Sequence, residues 1–363
     1  MRFRTIFALL VFAISISTST FGETEKQKAH DLGMQAIKVM DAGKIEEAIT
    51  LLEEAKELDS ENINYPYEIA YAHYLNKDYK KAIDILKELT KHPQSTARIY
   101  QMLGNACDMD GDREKASKVY DLGLKKFPKS GILYVERGGM EYVKENDKGA
   151  LEYYEKGIQV DPKFPSNYYW ASKLYLSSTE KVWGMLYGEI FMNLERGSKR
   201  TAEISKLLYD TYKSQIKFKS EDSYSVDFSR NSTILVKSGD DPKKMKLPFE
   251  IGVYEPVLAT SIAGEKSINL DALHRIREKF LESYYSRDFQ KNYPNVLFDY
   301  QRKIKSSGHL EAYNHWLLMK GDEEAFDQWV SGKDEVFEKF ATWLGENPIG
   351  IDSENKFHRS QYN

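Results

Sequence analysis

The stretch GDREKASKVYDLGLKKFP, Gly111 to Pro128, decides how half of the chain is read. It opens on a Gly-Asp turn, runs as one helix and stops at Pro128. The stripe that should be most apolar carries Ala116, Tyr120 and Gly123. Two of the smallest residues thus stand where large ones belong. A helix tolerates this where a second backbone comes close to it. Gly in a helix costs about 1 kcal/mol relative to Ala, so Gly123 needs a packing contact to offset it.

Ala116 is one of a series. Ala48, Ala82 and Ala150 stand at steps of 34 residues, in GKIEEAITLLEEA, KDYKKAIDILKEL and NDKGALEYYEKG. A fixed period of that size marks a repeat architecture. Small residues also recur at Ala36, Ala70, Gly104 and Gly138, and again at Ala55, Gly123 and Gly157, where Leu89 breaks the series. A bulky residue holds one more place in each unit: Leu52, Leu86, Tyr120 and Tyr154. Pro93, Pro128 and Pro162 close units, with Ser60 in that place in the first.

On these residues the units resemble the tetratricopeptide repeat, a helix–turn–helix module. The resemblance implies a TPR-type α-solenoid of helix–turn–helix repeats; with the residues that follow, the chain reads as mainly all-α, the array being followed by a helical C-terminal domain with a candidate small β-hairpin. Four repeats are clear over about 29–162. A divergent fifth follows over about 165–196, where Tyr168, Ala171, Ser172, Tyr175 and Gly184 fall at the expected offsets. Its second helix, KVWGMLYGEIFMNLE, is apolar nearly all round and reads as the buried junction with the rest. An extra helix from Lys199 to about Gln215 completes an array over 23–218.

The flanks read differently. Residues 1–22 carry Arg2 and Arg4, an apolar run from Ile6 to Ile16, and small residues before Gly22/Glu23. That is the pattern of a cleavable signal peptide, and it points to a periplasmic or secreted protein. The chain has a single cysteine, Cys107, so no internal disulfide and no lipid anchor after the apolar run are expected. A disulfide-free exported chain suits a bacterial periplasm. Cleavage would leave 50 basic against 56 acidic side chains, which speaks against a nucleic-acid binder.

Residues 219–247 read as a linker, with a candidate β-hairpin from Ser223 to Lys237. A helical domain is expected over 248–347. Its helices are read from near Pro256, from Ser267 or Asn269 to about Tyr285, and over 294–305, 309–320, 322–330 and 333–344. AYNHWLLMKGDEEAFDQWV looks like one more repeat hairpin, turning at Gly321-Asp322 with Ala325 as its small residue. The polar tail, 348–363, reads as loose.

No catalytic residue, metal ligand set or cofactor motif stands out. Asp108, Asp110 and Asp112 in DMDGD lack the Gly and Glu spacing of an EF-hand, and Gly111 is already needed for the repeat turn. The seven histidines are scattered, no HExxH, C-x-x-C, P-loop or G-x-S-x-G occurs, and Cys107 falls at a site expected to be buried. Trp316, Trp329 and Trp343 read as core or junction residues.

The 25 tyrosines need a place. The resemblance implies that first helices line a concave groove, with ligand contacts from the second, fifth, ninth and twelfth positions of each unit. Those places hold Asn64, Tyr67, Tyr71 and Tyr74 in the second unit, and Arg98, Gln101, Asn105 and Asp108 in the third. They hold Tyr142 in the fourth and Tyr169 and Lys173 in the fifth. Tyr and Asn make a face that stacks and hydrogen-bonds at small entropic cost, unless these tyrosines pack on a neighbouring helix or on the C-terminal half. The terminal-carboxylate clamp of some family members needs Lys and Asn on the first helix, where this chain has Gly33 and Ile37.

The leading reading is a scaffold or adaptor for a protein or peptide partner in envelope assembly or complex organisation. A glycan binder using the aromatic groove, and an enzyme with a hydrolase site in the C-terminal half, stay open. The sequence names no partner and leaves the oligomeric state unknown.

Overall fold

The computed structural model describes residues 24–220, 223–229 and 247–362. The signal-peptide reading of 1–22 and the distal limb of the expected hairpin lie outside the described residues. The fold is all-α and TPR-like, and the described residues form one two-stranded sheet. The chain divides into two compact units, Met1–Pro128 and Lys129–Asn363. The division therefore does not fall at the expected 218/219: the fourth and fifth helix pairs belong with the C-terminal half.

In the first unit, helices α1 (24–41) and α2 (Ile45–Leu58) are followed by α3 (Asn64–Leu75), α4 (Tyr79–Lys91), α5 (Ala97–Met109) and α6 (Arg113–Lys126). The turns between paired helices put Gly43, Lys77 and Gly111 at positive φ, 34 residues apart, and Glu145 does the same in the second unit. Asp112 caps α6, accepting from the Lys115 amide at 2.9 Å. The Asp108–Asp112 cluster is thus a turn and a cap.

The opening stretch is explained by one contact. A Cβ on Gly104 would sit 2.1 Å from the Tyr120 ring, so α5 gives up its side chain there to admit Tyr120 from α6. The Tyr120 hydroxyl donates to Asn105 Oδ1 at 2.5 Å. Ala36, Ala48, Ala70, Ala82 and Ala116 are all fully buried, as are Leu52 and Leu86 to within a percent. Gly123 is buried on α6. Cys107 is buried too, and burial pushes its thiol pKa up.

The second unit opens with α7 (Gly131–Tyr142), α8 (Asp147–Val160), α9 (Pro165–Ser177), α10 (Lys181–Leu194) and α11 (Lys199–Gln215). The same device recurs: a Cβ on Gly138 would meet Tyr154 at 2.4 Å, with Ala150 fully buried beside it. Gly157 makes room for the buried Asn167 amide, which donates to the Gly131 carbonyl at 3.1 Å. Helix α10 is buried from Val182 to Asn193, as its all-round apolar character requires.

Beyond it the structure departs from expectation in three places. The sheet pairs β1 (Ile216–Ser220) with β2 (Ser223–Val226). The expected first strand is thus the second, and its partner comes from the segment directly after α11. A π-turn at Glu250–Tyr254 leads into α12 (Glu255–Ser261), followed by α13 (Leu270–Ser286), α14 (Val296–Ser306), α15 (Leu310–Leu318), α16 (Glu323–Ser331) and α17 (Asp334–Glu346). Helix α15 packs chiefly on α13, α11, α14 and α17, so AYNHWLLMKGDEEAFDQWV is not a repeat hairpin.

The tail is not loose. Ile349, Ile351, Phe357 and Tyr362 are buried, and Phe357 and Tyr362 lie against Trp183 at ring separations of 6.1 and 5.8 Å. Arg359 pairs with Glu180 at 2.9 Å and donates to the Tyr175 hydroxyl. Four apolar residues spread over a polar segment give no periodic signal, so only the tertiary contacts order it.

Candidate functional site

On α3 and α5, residues three and four apart share one helical face. The structure sorts the expected contact residues by depth. At the N-terminal ends of the two helices, Asn64, Tyr67 and Arg98 line an open cavity of about 130 Å³ together with Ile63, Gln94, Thr96 and Ile99. Asn64 and Arg98 are exposed. Tyr67 is 5 % exposed, and the Arg98 guanidinium carbon lies 4.8 Å from the centre of its ring, a cation–π distance. Burial raises the Tyr67 phenol above its ordinary range, against the pull of the Arg98 charge. Burial also raises the neighbouring Glu68 carboxyl, again opposed by Arg98.

Further along the same face the side chains are engaged within the unit. Tyr71 packs against the core of the first helix pairs. Tyr74 meets Tyr79 edge-on at 5.6 Å. Asn105 accepts from Tyr120, Asp108 pairs with Arg113 at 3.4 Å, and Gln101 is half-buried. These side chains have partners within the unit and remain half-buried, so they differ from the exposed Asn64 and Arg98 at the cavity.

The expected residues of the second unit gather around a residue the register did not single out, Trp170. Tyr142, 43 % exposed, approaches it at 5.8 Å, and Tyr154 stacks on it at 6.4 Å. Tyr169 is buried and its hydroxyl donates to Glu203 at 2.5 Å. Lys173 pairs with Glu203 at 2.7 Å and lies over both the Tyr169 and Trp170 rings. Burial works to raise the Glu203 carboxyl, but the Lys173 and Tyr169 hydrogen bonds outweigh it and leave its pKa lowered. Lys173 and Tyr169 are thus engaged with Glu203 on α11, while Tyr142 is exposed and Trp170 half-buried.

Residues 39–106 match the tetratricopeptide repeat family model. They run from the end of the first repeat's leading helix through most of α5, and so include the wall of the cavity. Comparison with curated proteins returns no match. Among solved structures, a thermophilic tetratricopeptide repeat protein of Thermus thermophilus is 15% identical, covering 50% of this chain and 98% of its own, with a TM-score of 0.41. Pseudomonas aeruginosa pilF is 16% identical, covering 53% and 86%, at 0.43. Residues 41 to the end of MamA from Desulfovibrio magneticus RS-1 are 17% identical, covering 47% and 97%, at 0.36.

The tetratricopeptide register finds Asn64, Tyr67 and Arg98 but passes over Gln94 and Thr96. Those two precede α5, in a connecting loop that helical positions do not count. A polar constellation deep in the second unit also left no sequence signal. Glu189 on α10 accepts from Arg277 at 2.6 Å, Gln301 at 2.6 Å and Tyr313 at 2.8 Å. The adjoining cavity, about 20 Å³, has room for about one water. Nothing of substrate size fits there, and the cluster is a structural tie. No group of three His, Cys, Asp or Glu side chains is placed to hold a metal among the described residues. No helix among them is long and apolar enough to cross a membrane.

Proposed function

We propose that the chain is an exported, non-enzymatic scaffold that holds an extended segment of a protein partner on the first helices of its repeats, in the bacterial envelope. The observation that carries the reading is the open cavity between the starts of α3 and α5, walled by Asn64, Tyr67 and Arg98. It is too small for a folded domain, open to solvent and lined by polar side chains beside the buried Tyr67. Those properties suit side chains of an extended segment. Export rests on the signal-peptide pattern of residues 1–22, and the envelope role on that pattern together with the tetratricopeptide character of the repeats.

The test is cross-linking of the chain in its native envelope, beside Thr96→Trp, which fills the cavity mouth from an exposed position. The partner should disappear from the variant while its thermal unfolding stays at the wild-type temperature. A partner retained by Thr96→Trp would move the contact elsewhere. The triple change Tyr67→Ala/Tyr71→Ala/Asn105→Ala is a poor probe, because Tyr67 is buried and Asn105 accepts from Tyr120, so the variant also disturbs packing.

A second reading, glycan binding, is favoured by one observation: Tyr142 leaves 43 % of its surface open beside Trp170. Oligosaccharide quenching of tryptophan fluorescence, lost in Trp170→Phe and unaffected by Thr96→Trp, would establish it.

A further inference from the structure

His315 on α15 is buried, and both of its ring nitrogens face acceptors. Nδ1 lies 2.9 Å from the Glu311 carbonyl. Nε2 lies 3.0 Å from Oδ1 of Asp271, in the first turn of α13. A carbonyl and an ionised carboxylate have no proton to give, so both bonds close only when the ring carries two N–H groups. That state is the imidazolium. A neutral ring has a single N–H. Left on Nδ1, it keeps the carbonyl bond and turns a lone pair on the Asp271 carboxylate. The same ring seats α16. Trp329 stacks on it with ring centres 4.4 Å apart and planes 16° from parallel, and an indole face attracts a cation. Trp329 Nε1 donates to Glu311 Oε1 at 3.0 Å. None of the α16 residues is buried, and its other aromatic ring, Phe326, meets Phe337 of α17. Helix α16 therefore depends on the seat of Trp329.

We propose that His315 is a pH-operated clasp: as an imidazolium it seats Trp329 and keeps α16 docked, and on losing its proton it releases the helix. The charges around the ring fit that role. From α13 come Asp271 and His274, the His274 ring 6.2 Å away with Glu278 4.0 Å from its Nε2. From α15 itself comes Glu311. From the turn between α16 and α17 comes Lys333, which pairs with Glu311 and lies over the Trp329 ring. Arg275 is turned to Glu265, and Arg277 is tied to Glu189 and Asn314. Burial holds the His274 pKa below its ordinary value, against the pull of Glu278 and Glu311, so His315 is the ring of this pair that takes the proton. Docking of α16 favours the charged form of His315. It is strongest at acid pH and weakens as pH rises through about 5–8, the range in which histidine changes charge. The tail responds in the opposite sense, since burial of His358 disfavours its charge.

The experiment follows hydrogen exchange over 323–331, relative to α10, in the full chain between about pH 5.5 and about pH 8.5. Dividing by α10 removes the pH dependence of the exchange chemistry itself. The ratio should rise about 10-fold towards alkaline pH, the lower end of what a charge-assisted hydrogen bond contributes. Nitrogen-15 shifts of the His315 ring should report two N–H groups at the acid end and one at the alkaline end. Asp271→Asn is the sharper variant. It changes an exposed carboxylate, and the new amide can donate to the neutral Nε2, so α16 should stay docked across the whole range. His315→Gln removes the titrating ring and should flatten the profile as well. A ratio that does not rise, a rise that survives Asp271→Asn, or a ring that is neutral throughout would overturn the clasp.

Discussion

The Met1–Pro128 unit and the Lys129–Asn363 unit start from the same module and reach stability by different means. In the first, a single kind of contact is used again and again. Gly104 admits Tyr120, and Ala36 and Ala70 stand in the same sequence relation to Leu52 and Leu86. In the second, Gly138 and Tyr154 repeat that contact once more. The centre, however, is Glu189, a buried carboxylate tied to Arg277, Gln301 and Tyr313. Repetition spreads stability over many small, similar contacts, each felt mainly by its neighbours. A buried ion pair concentrates it, because removing one partner leaves an uncompensated charge.

The comparison can be broken first at Glu189. Glu189→Ala should destabilise the second unit by about 3–5 kcal/mol, as expected for one partner removed from a buried pair. Glu189→Leu with Arg277→Met should cost less than Glu189→Ala alone. Urea unfolding of the three proteins decides it. If the single variant lost no more than a repeat-contact variant, the contrast between the units would be wrong.

Next comes the repeated contact. Gly104→Ala forces a methyl into the Tyr120 ring and should cost about 1–3 kcal/mol by overpacking. Gly104→Ala with Tyr120→Leu recreates the pair present at Ala70 and Leu86, and should recover most of the loss. The same exchange at Gly138 and Tyr154 should behave alike in thermal unfolding. Recovery in one unit and not the other would show that the module is not interchangeable.

The tail offers a gentler probe of the second unit. Burial, with the Lys356 and Lys156 charges, lowers the His358 pKa to about 4 from the ordinary 6.5. The folded form therefore resists protonation while a released tail accepts it. Docking is fully favoured above about pH 6.5 and weakens as pH falls towards about 4. Hydrogen exchange over residues 349–362 should accelerate several-fold relative to α10 across that window. His358→Gln should flatten the change; an unaltered pH profile would refute the assignment.

The smallest effect lies in the turns. Lys77 and Glu145 hold the left-handed conformation that Gly43 and Gly111 hold without a Cβ. Lys77→Gly should stabilise the first unit by up to about 1 kcal/mol, since relief of the strained φ is partly offset by a freer unfolded chain. A loss in calorimetry would mean that the Lys77 side chain contributes something beyond the turn.

Much of this was legible in the sequence, for a definite reason. Where one contact recurs every 34 residues, the residues that make it recur too. Ala48, Ala82, Ala116 and Ala150 could therefore be placed from the sequence, and the buried α10 followed from its all-round apolar character. Asn64, Tyr67 and Arg98 came from the same register, which names helical positions. It could not separate Tyr67, at a cavity, from Tyr71, packed on a core, because both follow the same spacing on one helix. Gln94 and Thr96 stand in a loop outside any register. The pairing of β1 with β2, the docking of Phe357 and Tyr362 on Trp183, and the meeting of Glu189 with Arg277, 88 residues away, occur once each. A contact made once leaves no period behind it. The sequence by itself therefore determined the repeating helices, their turns and their small-residue contacts. Only the tertiary structure decided which polar side chains remain open to a partner and which are consumed in holding the chain together, because that depends on neighbours that no local pattern encodes.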